Sequence, residues 1–323
     1  METGKPLISI LMAVYEPRLD WLQEQLESLD GQSYPNLKLY IRDDHSTAVP
    51  FTKIEELVKN CIRSFPYEIN RNEKNLGSNE TFEHLTREAE GEYFAYCDQD
   101  DIWLPEKLDV LQEEMEKSGA LLVCSDMYII DAEGKQTADS ITKVRRRHVF
   151  HSGEGLAENL LISNFVTGCT MLVGSRTAKT AVPFCPFMVH DHYIALCCSA
   201  AGRIQSVIRP LIRYRIHGAN QSGVMSGVRD KASYGEIKID AMVKRFQWLR
   251  ENFLYRENIE QEICQRLKWM LARQSNWKEH RERKTVWKYR RFSPLASVFE
   301  LAAVYFPNKL FLFFVGLKKK NLV

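Results

Sequence analysis

The chain opens with a strand-length apolar stretch, Leu7 to Val14, followed after Pro17 by Leu19, Leu22, Leu26 and Leu29 at helical spacing. That is a β–α unit, and the pattern repeats. Leu37 to Arg42 reads as a strand, Thr52 to Arg63 as a helix, Tyr67 to Asn70 as a strand, Ser78 to Ala89 as a helix and Tyr93 to Cys97 as a strand. Pro105 to Lys117 and Ala120 to Ser125 continue it. Such alternation predicts a parallel sheet with helices on both faces. Ligands of open sheets collect at the carboxyl ends of the strands, and here those ends are polar: Tyr15-Glu16, Asp43-Asp44-His45-Ser46, Asn72 to Asn79 and Asp98-Gln99-Asp100-Asp101.

The second half is less regular. A hairpin is expected around Asp131 to Lys135 and a basic loop from Lys143 to His151. Strands are expected at Asn164 to Val173 and Ile204 to Ile216, with a helix from Asp191 to Ala201. Beyond Gly227 the pattern changes to long helices rich in Trp, Arg and Lys, which divides the chain into an α/β domain, residues 1–227, and a helical region, residues 228–323. The length of 323 residues suits one large catalytic core with an appendage.

Charge adds mainly exclusions. With 44 Lys and Arg against 42 Asp and Glu, no global field favours a polyanion, and nucleic-acid binding gains no support. The 8 Cys form no C-x-x-C pair and read as small core residues of a reducing compartment. The N-terminus has no basic lead or small-residue cleavage site, so the catalytic part is expected in the cytosol.

Alternate carboxylates in the turn after Cys97 can turn two oxygen ligands toward one Mg²⁺ or Mn²⁺ bridging a diphosphate. The same residues also suit a solvated acidic loop, with Asp101 capping the next helix. Asp43-Asp44 fits an ordinary Asx turn equally well. Two acidic clusters at strand ends on one sheet edge are harder to explain as turns than either alone, and carboxylates there can hydrogen-bond a base and a ribose. No G-x-G-x-x-G follows a strand, which excludes a dinucleotide-binding dehydrogenase. A sugar-phosphate nucleotidyltransferase would carry a Gly-rich basic loop where this chain has Tyr15-Glu16-Pro17. A catalytically silent scaffold is the third alternative.

Ala13-Val14-Tyr15-Glu16-Pro17, Asp43-Asp44-His45-Ser46, Asn75-Leu76-Gly77-Ser78-Asn79, Cys97-Asp98-Gln99-Asp100-Asp101-Ile102-Trp103 and Tyr214-Arg215-Ile216-His217-Gly218 occur in the order seen in family 2 glycosyltransferases. The chain resembles that family over its first two thirds, and its rhamnosyltransferase-like bacterial branch most. The resemblance implies an α/β fold of the GT-A type, a Rossmann-like sandwich for nucleotide-diphospho-sugar transfer, to which the pattern of the tail itself, described next, adds a helical, membrane-associating C-terminal extension. It implies inverting transfer of one sugar per encounter, rhamnose or another hexose, from a dTDP- or UDP-linked donor to a saccharide or lipid-linked acceptor of surface polysaccharide assembly. The Gln-x-x-Arg-Trp run of processive relatives is absent. Ala13, Val14, Tyr15, Glu16, Asp43, Asp44, Asn75, Gly77, Asn79, Asp98, Gln99 and Asp101 fall at nucleotide-sugar positions. Asp98, Asp100 and His217 fall at those of the Mn²⁺ or Mg²⁺ site. Trp103, Gly168, Thr170 and His190 fall at acceptor positions, and Asp191 at that of the general base. Asp191 alternatively serves only as a helix cap. His190-Asp191-His192 stands where many relatives carry Glu-Asp. The Arg145-Arg146-Arg147-His148 run reads as a solvated face or as a basic loop able to close over a diphosphate.

In the tail, basic residues from Lys278 to Arg291 lead into Pro294 to Phe306. Leu310 to Leu317 follows, and then Lys318-Lys319-Lys320. Neither apolar run reaches the ~20 residues of a spanning helix. The expectation is an amphipathic anchor on an anionic membrane, peripheral to its cytoplasmic face. The alternative is a helical pair packed on the protein itself or at a dimer interface.

Overall fold

The computed structural model describes residues 4–145, 147–217 and 227–319. Compact packing divides the chain into two units. The first comprises residues 1–184 and 188–217, the second residues 185–187 and 218–323. The expected boundary after Gly227 adjoins residues 218–226, which lie outside the described residues, as do Arg146, Gly218 and Lys320 of the runs named above.

The first unit begins with the repeating β–α pattern: β1 (Ile8–Val14), α1 (Leu19–Asp30), β2 (Leu37–Asp43), α2 (Phe51–Cys61), β3 (Tyr67–Arg71), α3 (Ser78–Glu88) and β4 (Tyr93–Cys97). Then follow β5 (Ile102–Trp103), α4 (Lys107–Ser118), β6 (Leu122–Ile130), β7 (Gln136–Ala138), α5 (Ile141–Val144), α6 (Ala157–Leu160), β8 (Met171–Gly174), α7 (Ser175–Thr180), α8 (His190–Ala201) and β9 (Ile204–Arg215). The sheet runs β3-β2-β1-β4-β8-β6-β9-β5, with β7 on β6.

The expected parallel sheet holds for β3, β2, β1 and β4. Beyond β4 the sheet is mixed, because β8 inserts antiparallel between β4 and β6. The hairpin expected at 131–135 joins β6 to β7, with Gly134 at φ 80 in its turn. The strand expected over 164–173 shortens to Met171–Gly174, because Gly168–Thr170 coils into a 3₁₀ turn held by Thr170 N–H to the Thr167 carbonyl.

Ile8, Ile10 and Met12 of β1 meet Leu22, Leu26 and Leu29 of α1 in one core cluster, all at 0 % exposure. At roughly 1.5–3 kcal/mol for each such side chain, this core fixes β1 and therefore the loop at its carboxyl end. Asp44 N–H donates to the Val14 carbonyl and Asn72 N–H to the Asp43 carbonyl. These bonds hold three consecutive strand ends level, which is where the site forms.

The second unit is helical: α9 (Lys231–Tyr234), a π-helical turn (Gly235–Asp240), α10 (Ala241–Asn252), α11 (Arg256–Glu279), α12 (Arg283–Lys288), α13 (Pro294–Ala303) and α14 (Asn308–Lys319). Its own core gathers Val228, Tyr234, Ile239, Ala303, Phe311 and Val315. Among the described residues, no helix is long and apolar enough to cross a membrane.

Candidate active site

The loops at the ends of β1, β2 and β3 are built by their own carboxylates. Glu16, at the strained φ of 42, accepts from the backbone N–H of Thr47, Ala48 and Val49. These backbone bonds, Thr47 first, lower its pKa. Asp43 is fully buried, accepts from Ser46 N–H and Oγ, and pairs with Arg71 Nε at 3.1 Å. Asp44, 3 % exposed, accepts from Leu76 N–H at 2.7 Å, Gly77 N–H at 2.8 Å and Asn72 Nδ2 at 2.8 Å. Their oxygens hold Ser46 and the 72–77 loop in place, a buried role in which losing either carboxylate leaves N–H groups unpaired. The exposed Tyr15 and Asn75 stand on the loops so held, with Gly77 at φ 84 opening α3 and Asn79 in its first turn. Ala13 and Val14 are the last residues of β1.

The turn after β4 carries the acidic cluster. Gln99 clamps it to the β1 loop: its Oε1 accepts Tyr15 N–H at 2.8 Å and its Nε2 donates to the Tyr15 carbonyl at 3.0 Å. Asp100 Oδ2 lies 2.7 Å from His217 Nε2, whose ring packs against Trp21 at 4.9 Å. Buried Arg215 fixes the Asp100–Asp101 turn. Its Nε donates to the Asp100 carbonyl at 2.8 Å, its backbone N–H to Asp101 Oδ1 at 3.0 Å, and its guanidinium also reaches Glu24.

Asp98, Asp101 and Cys169 bring one ligand atom each within 4.8 Å of one another. Burial first, then the neighbouring Asp100, drives the Asp98 and Asp101 carboxyls upward in pKa. Beneath them lies Lys107, fully buried, donating from Nζ to the Cys169 carbonyl at 2.7 Å and sitting over the Trp103 ring. Burial lowers its pKa to about 7. Lys107 thus sets a buried amine beside this trio, and Asp101 accepts from the Arg215 backbone N–H. Asp100 and His217, both partly accessible, form a carboxylate–imidazole pair at the same turn.

Asp191 lies in the first turn of α8, where Val189 holds the N-cap position. Its Oδ1 accepts from Asn164 Nδ2 at 3.0 Å and its Oδ2 from Gly168 N–H at 2.9 Å. Burial raises its pKa to about 6, against the lowering pull of the Gly168 and His192 N–H groups, Asn164 and Arg145. Asp191 is close enough to Asp98 to raise that carboxyl in turn.

The expected acceptor residues are mostly enclosed. Trp103 is 2 % exposed and Thr170 1 %, and Thr170 Oγ1 donates to the Thr167 carbonyl. His190 packs between Phe82 and Tyr96, with ring centroids 4.0 and 5.3 Å away, and burial drops its pKa to about 3. A Cβ on Gly168 would stand 2.7 Å from His190 Nε2. Of these four, Gly168 bonds Asp191 directly, and Trp103, Thr170 and His190 are buried. Sequence reading missed Asn164, Lys107 and Arg215. Lys107 is a cation in the first turn of α4, where a cation opposes the helix dipole, and that was the one available signal.

Residues 9–174, just over half of the chain, match the sequence profile described as glycosyl transferase family 2. The chain belongs to that family. An uncharacterised glycosyltransferase of Methanocaldococcus jannaschii is 33% identical over 135 residues, 41% of this chain but only 46% of the relative. The putative teichuronic acid biosynthesis glycosyltransferase TuaG of Bacillus subtilis is 26% identical over 186 residues, 57% of this chain and 68% of the relative. Among solved structures, Staphylococcus aureus TarS 1-349 in complex with UDP-GlcNAc superposes with TM-score 0.55 at 15% identity, covering 90% of this chain and 82% of that one. The Pyrobaculum calidifontis mannosyltransferase PcManGT, in complex with GDP-Man and Mn²⁺, gives 0.54 at 12% identity, covering 98% and 81%. These neighbours establish the GT-A-like architecture. The family also sets aside the nucleotidyltransferase alternative.

Proposed function

We propose that this glycosyltransferase is an inverting, divalent-metal-dependent hexosyltransferase. It would take rhamnose or another hexose from a UDP- or dTDP-linked donor and pass it to a saccharide or lipid-linked acceptor in cell-surface polysaccharide synthesis. The observation that carries this is Asp191, a carboxylate raised to about 6 and held by two donors at the same strand edge as Asp98 and Asp100. At neutral pH such a group is mostly ionised yet basic enough to accept a proton, as a general base requires.

In the step proposed, an acceptor hydroxyl loses its proton to Asp191 while its oxygen bonds the anomeric carbon. The bond from that carbon to the diphosphate oxygen breaks on the opposite face, and the electron pair leaves with the nucleoside diphosphate. Asn164 Nδ2 and Gly168 N–H keep the carboxylate oriented throughout. One displacement gives inversion, and a single base suffices. Asp100 and His217 would hold the cation, whose chemistry is to stabilise the negative charge on the departing diphosphate. A carboxylate oxygen paired with an imidazole nitrogen suits Mn²⁺ better than Mg²⁺, whose ligands are almost wholly oxygen. Tyr15, Asn75, Gly77 and Asn79 stand on loops suited to the nucleotide, which Glu16, Asp43, Asp44 and Gln99 hold in place.

Several relatives are in keeping with this reading. TuaG is named for teichuronic acid synthesis, TarS was solved with UDP-GlcNAc and PcManGT with GDP-Man and Mn²⁺. With a lipid-linked acceptor the enzyme would work as a peripheral protein at the cytoplasmic face of a membrane. Release of nucleoside diphosphate from a panel of UDP-, dTDP- and GDP-sugars with Mn²⁺ tests the proposal. A purified, folded enzyme that releases none from any donor would refute it.

A further inference from the structure

We propose that the outer face of α13 and α14 is a docking surface for an anionic lipid bilayer. The inference deepens the peripheral placement given above and rests on it, and it uses only residues of the second unit.

The decisive feature is that α13 is inside out. A helix at a protein surface ordinarily turns its apolar stripe inward and its polar one to water. In α13 the residues at i and i+3, Ser297 and Glu300, are both 0 % exposed. Glu300 accepts from Arg273 Nε at 2.7 Å and from the Tyr234 hydroxyl at 2.8 Å, so its charge is paired inside. On the other face Leu295 is 67 % exposed, Val298 52 % and Tyr305, just past the helix, 57 %. These residues share one stripe, at i, i+3 and i+10. In α14, Phe311 and Val315 fill the core while Leu310, Leu312 and Phe313 remain exposed, Phe313 at 60 %. Between Arg291 and Lys309 the only charged residue is the buried Glu300. Exposed apolar side chains of this kind, with the Arg283 guanidinium set over the Tyr305 ring at their edge, call for an occupant that is apolar within and anionic at its surface.

Length and charge select which one. At 1.5 Å per residue, α13 with 10 residues and α14 with 12 reach about 15 and 18 Å, roughly half a hydrocarbon core of about 30 Å, so they lie on a bilayer and do not cross it. The stretch from Arg281 to Arg291 carries six cations against one acid, Glu282, and Lys309 follows the apolar face of α13. Lys268, Lys288 and Arg291 also line a cavity of about 510 Å³ that has no acidic residue in its wall. Trp287, 51 % exposed under the Arg290 guanidinium, is the side-chain type that settles at head-group level. A second copy of the chain is the poorer occupant, because a two-fold contact would set this basic stretch against itself.

The test uses the full chain and two sets of vesicles, phosphatidylglycerol mixed with phosphatidylcholine, and phosphatidylcholine alone. The protein should sediment with the first far more than with the second. Lys284→Ala and Arg290→Ala should each weaken that binding about fivefold, the fold-change expected of one cation near an anionic surface. Leu295→Glu with Val298→Glu should abolish it. Both positions are solvent-exposed, so unfolding midpoints and nucleotide-sugar hydrolysis should stay at the parent level, which separates loss of docking from loss of the transferase reading. The proposal is overturned if the parent protein ignores anionic vesicles, if it binds both vesicle types equally, or if the double variant still binds. It is also overturned if sedimentation equilibrium shows a dimer that the double variant dissociates, since the face then belongs to a second copy.

Discussion

Asp191→Asn separates a catalytic base from a helix cap, because it removes the proton acceptor while the fold is kept. The amide keeps the size of the side chain and an oxygen to accept from Gly168 N–H, but cannot take a proton. A general base typically supplies 10²–10⁴-fold, so kcat should fall by about that factor while donor affinity, read by calorimetry, holds. The parent enzyme should show an acidic limb with its midpoint near 6, where Asp191 titrates. From about 90% ionised at pH 7, the carboxylate falls to about 10% at pH 5, roughly a ninefold loss of rate. The stability sign follows from the same shift. The folded pKa is raised above 3.8, so between those values the folded state binds more protons than the unfolded one, and stability falls as pH rises through that window. Above pH 6 the ionised carboxylate is a standing cost. A shift of about two units sets a ceiling near 3 kcal/mol, and solvent access to a half-buried group reduces it to on the order of 1 kcal/mol. In Asp191→Asn the relief of that cost is offset by the lost bond from Asn164 Nδ2, which then faces another NH2, so Tm at pH 7.5 should stay within about 2–4 °C of the parent while the acidic limb of any residual activity flattens. A variant with parent-like turnover, or one that loses stability with its pH limb intact, would refute the reasoning.

Three further outcomes can be checked alongside. Asp100→Ala should cut metal-dependent transfer roughly a hundredfold or more and weaken Mn²⁺-dependent donor binding in calorimetry, because His217 is left without its carboxylate partner; full activity in chelator would overturn the metal assignment. Gly168→Ala should cost about 1–3 kcal/mol in denaturant unfolding and lower kcat with donor affinity kept, since its Cβ would press on His190 Nε2 and displace the N–H that bonds Asp191. Mn²⁺ alone should raise Tm of the parent protein but not of Asp100→Ala, because a cation bound only by the folded state stabilises by mass action.

The β–α repeat of the first hundred residues was legible because each strand is a short apolar run and each helix keeps its apolar stripe at 3.6-residue spacing. Leu22, Leu26 and Leu29 in α1 are the clearest case, all at 0 % exposure. The second half was less legible for an equally physical reason. Whether a short apolar run such as Met171–Gly174 pairs parallel or antiparallel depends on its neighbours, and nothing in Met-Leu-Val-Gly records that β4 and β6 flank it on opposite sides. The carboxylates show the same limit within the site. Asp43, Asp44, Asp98, Asp100, Asp101 and Asp191 all stand out in sequence, yet their tasks differ by what donates to them. Asp44 takes two backbone N–H groups and an amide from the 72–77 loop, and Asp191 takes Asn164 and Gly168 from a segment more than twenty residues away.

Those donors also explain how so many carboxylates share one edge of the sheet. Asp43 and Asp44 are neutralised locally, by Arg71 and by N–H groups, and lie outside the reactive cluster. Asp98, Asp101 and Asp191 are raised by burial and, for the first two, by Asp100 beside them, so the site as built holds its carboxylates at a cost in free energy. The protein supplies two buried cations against it. Arg215 serves Asp101 through its backbone and Asp100 through its guanidinium, and Lys107 supports the Cys169 turn from below. Within the cluster, the bonds seen from these two cations go to the Asp100 and Cys169 carbonyls and to Asp101, while the Asp100 carboxylate itself meets His217 Nε2. If Asp100 and His217 hold a cation as proposed, its charge would offset the repulsion that Asp98, Asp100 and Asp101 share, and the same repulsion would favour binding an exchangeable cation over leaving the site empty.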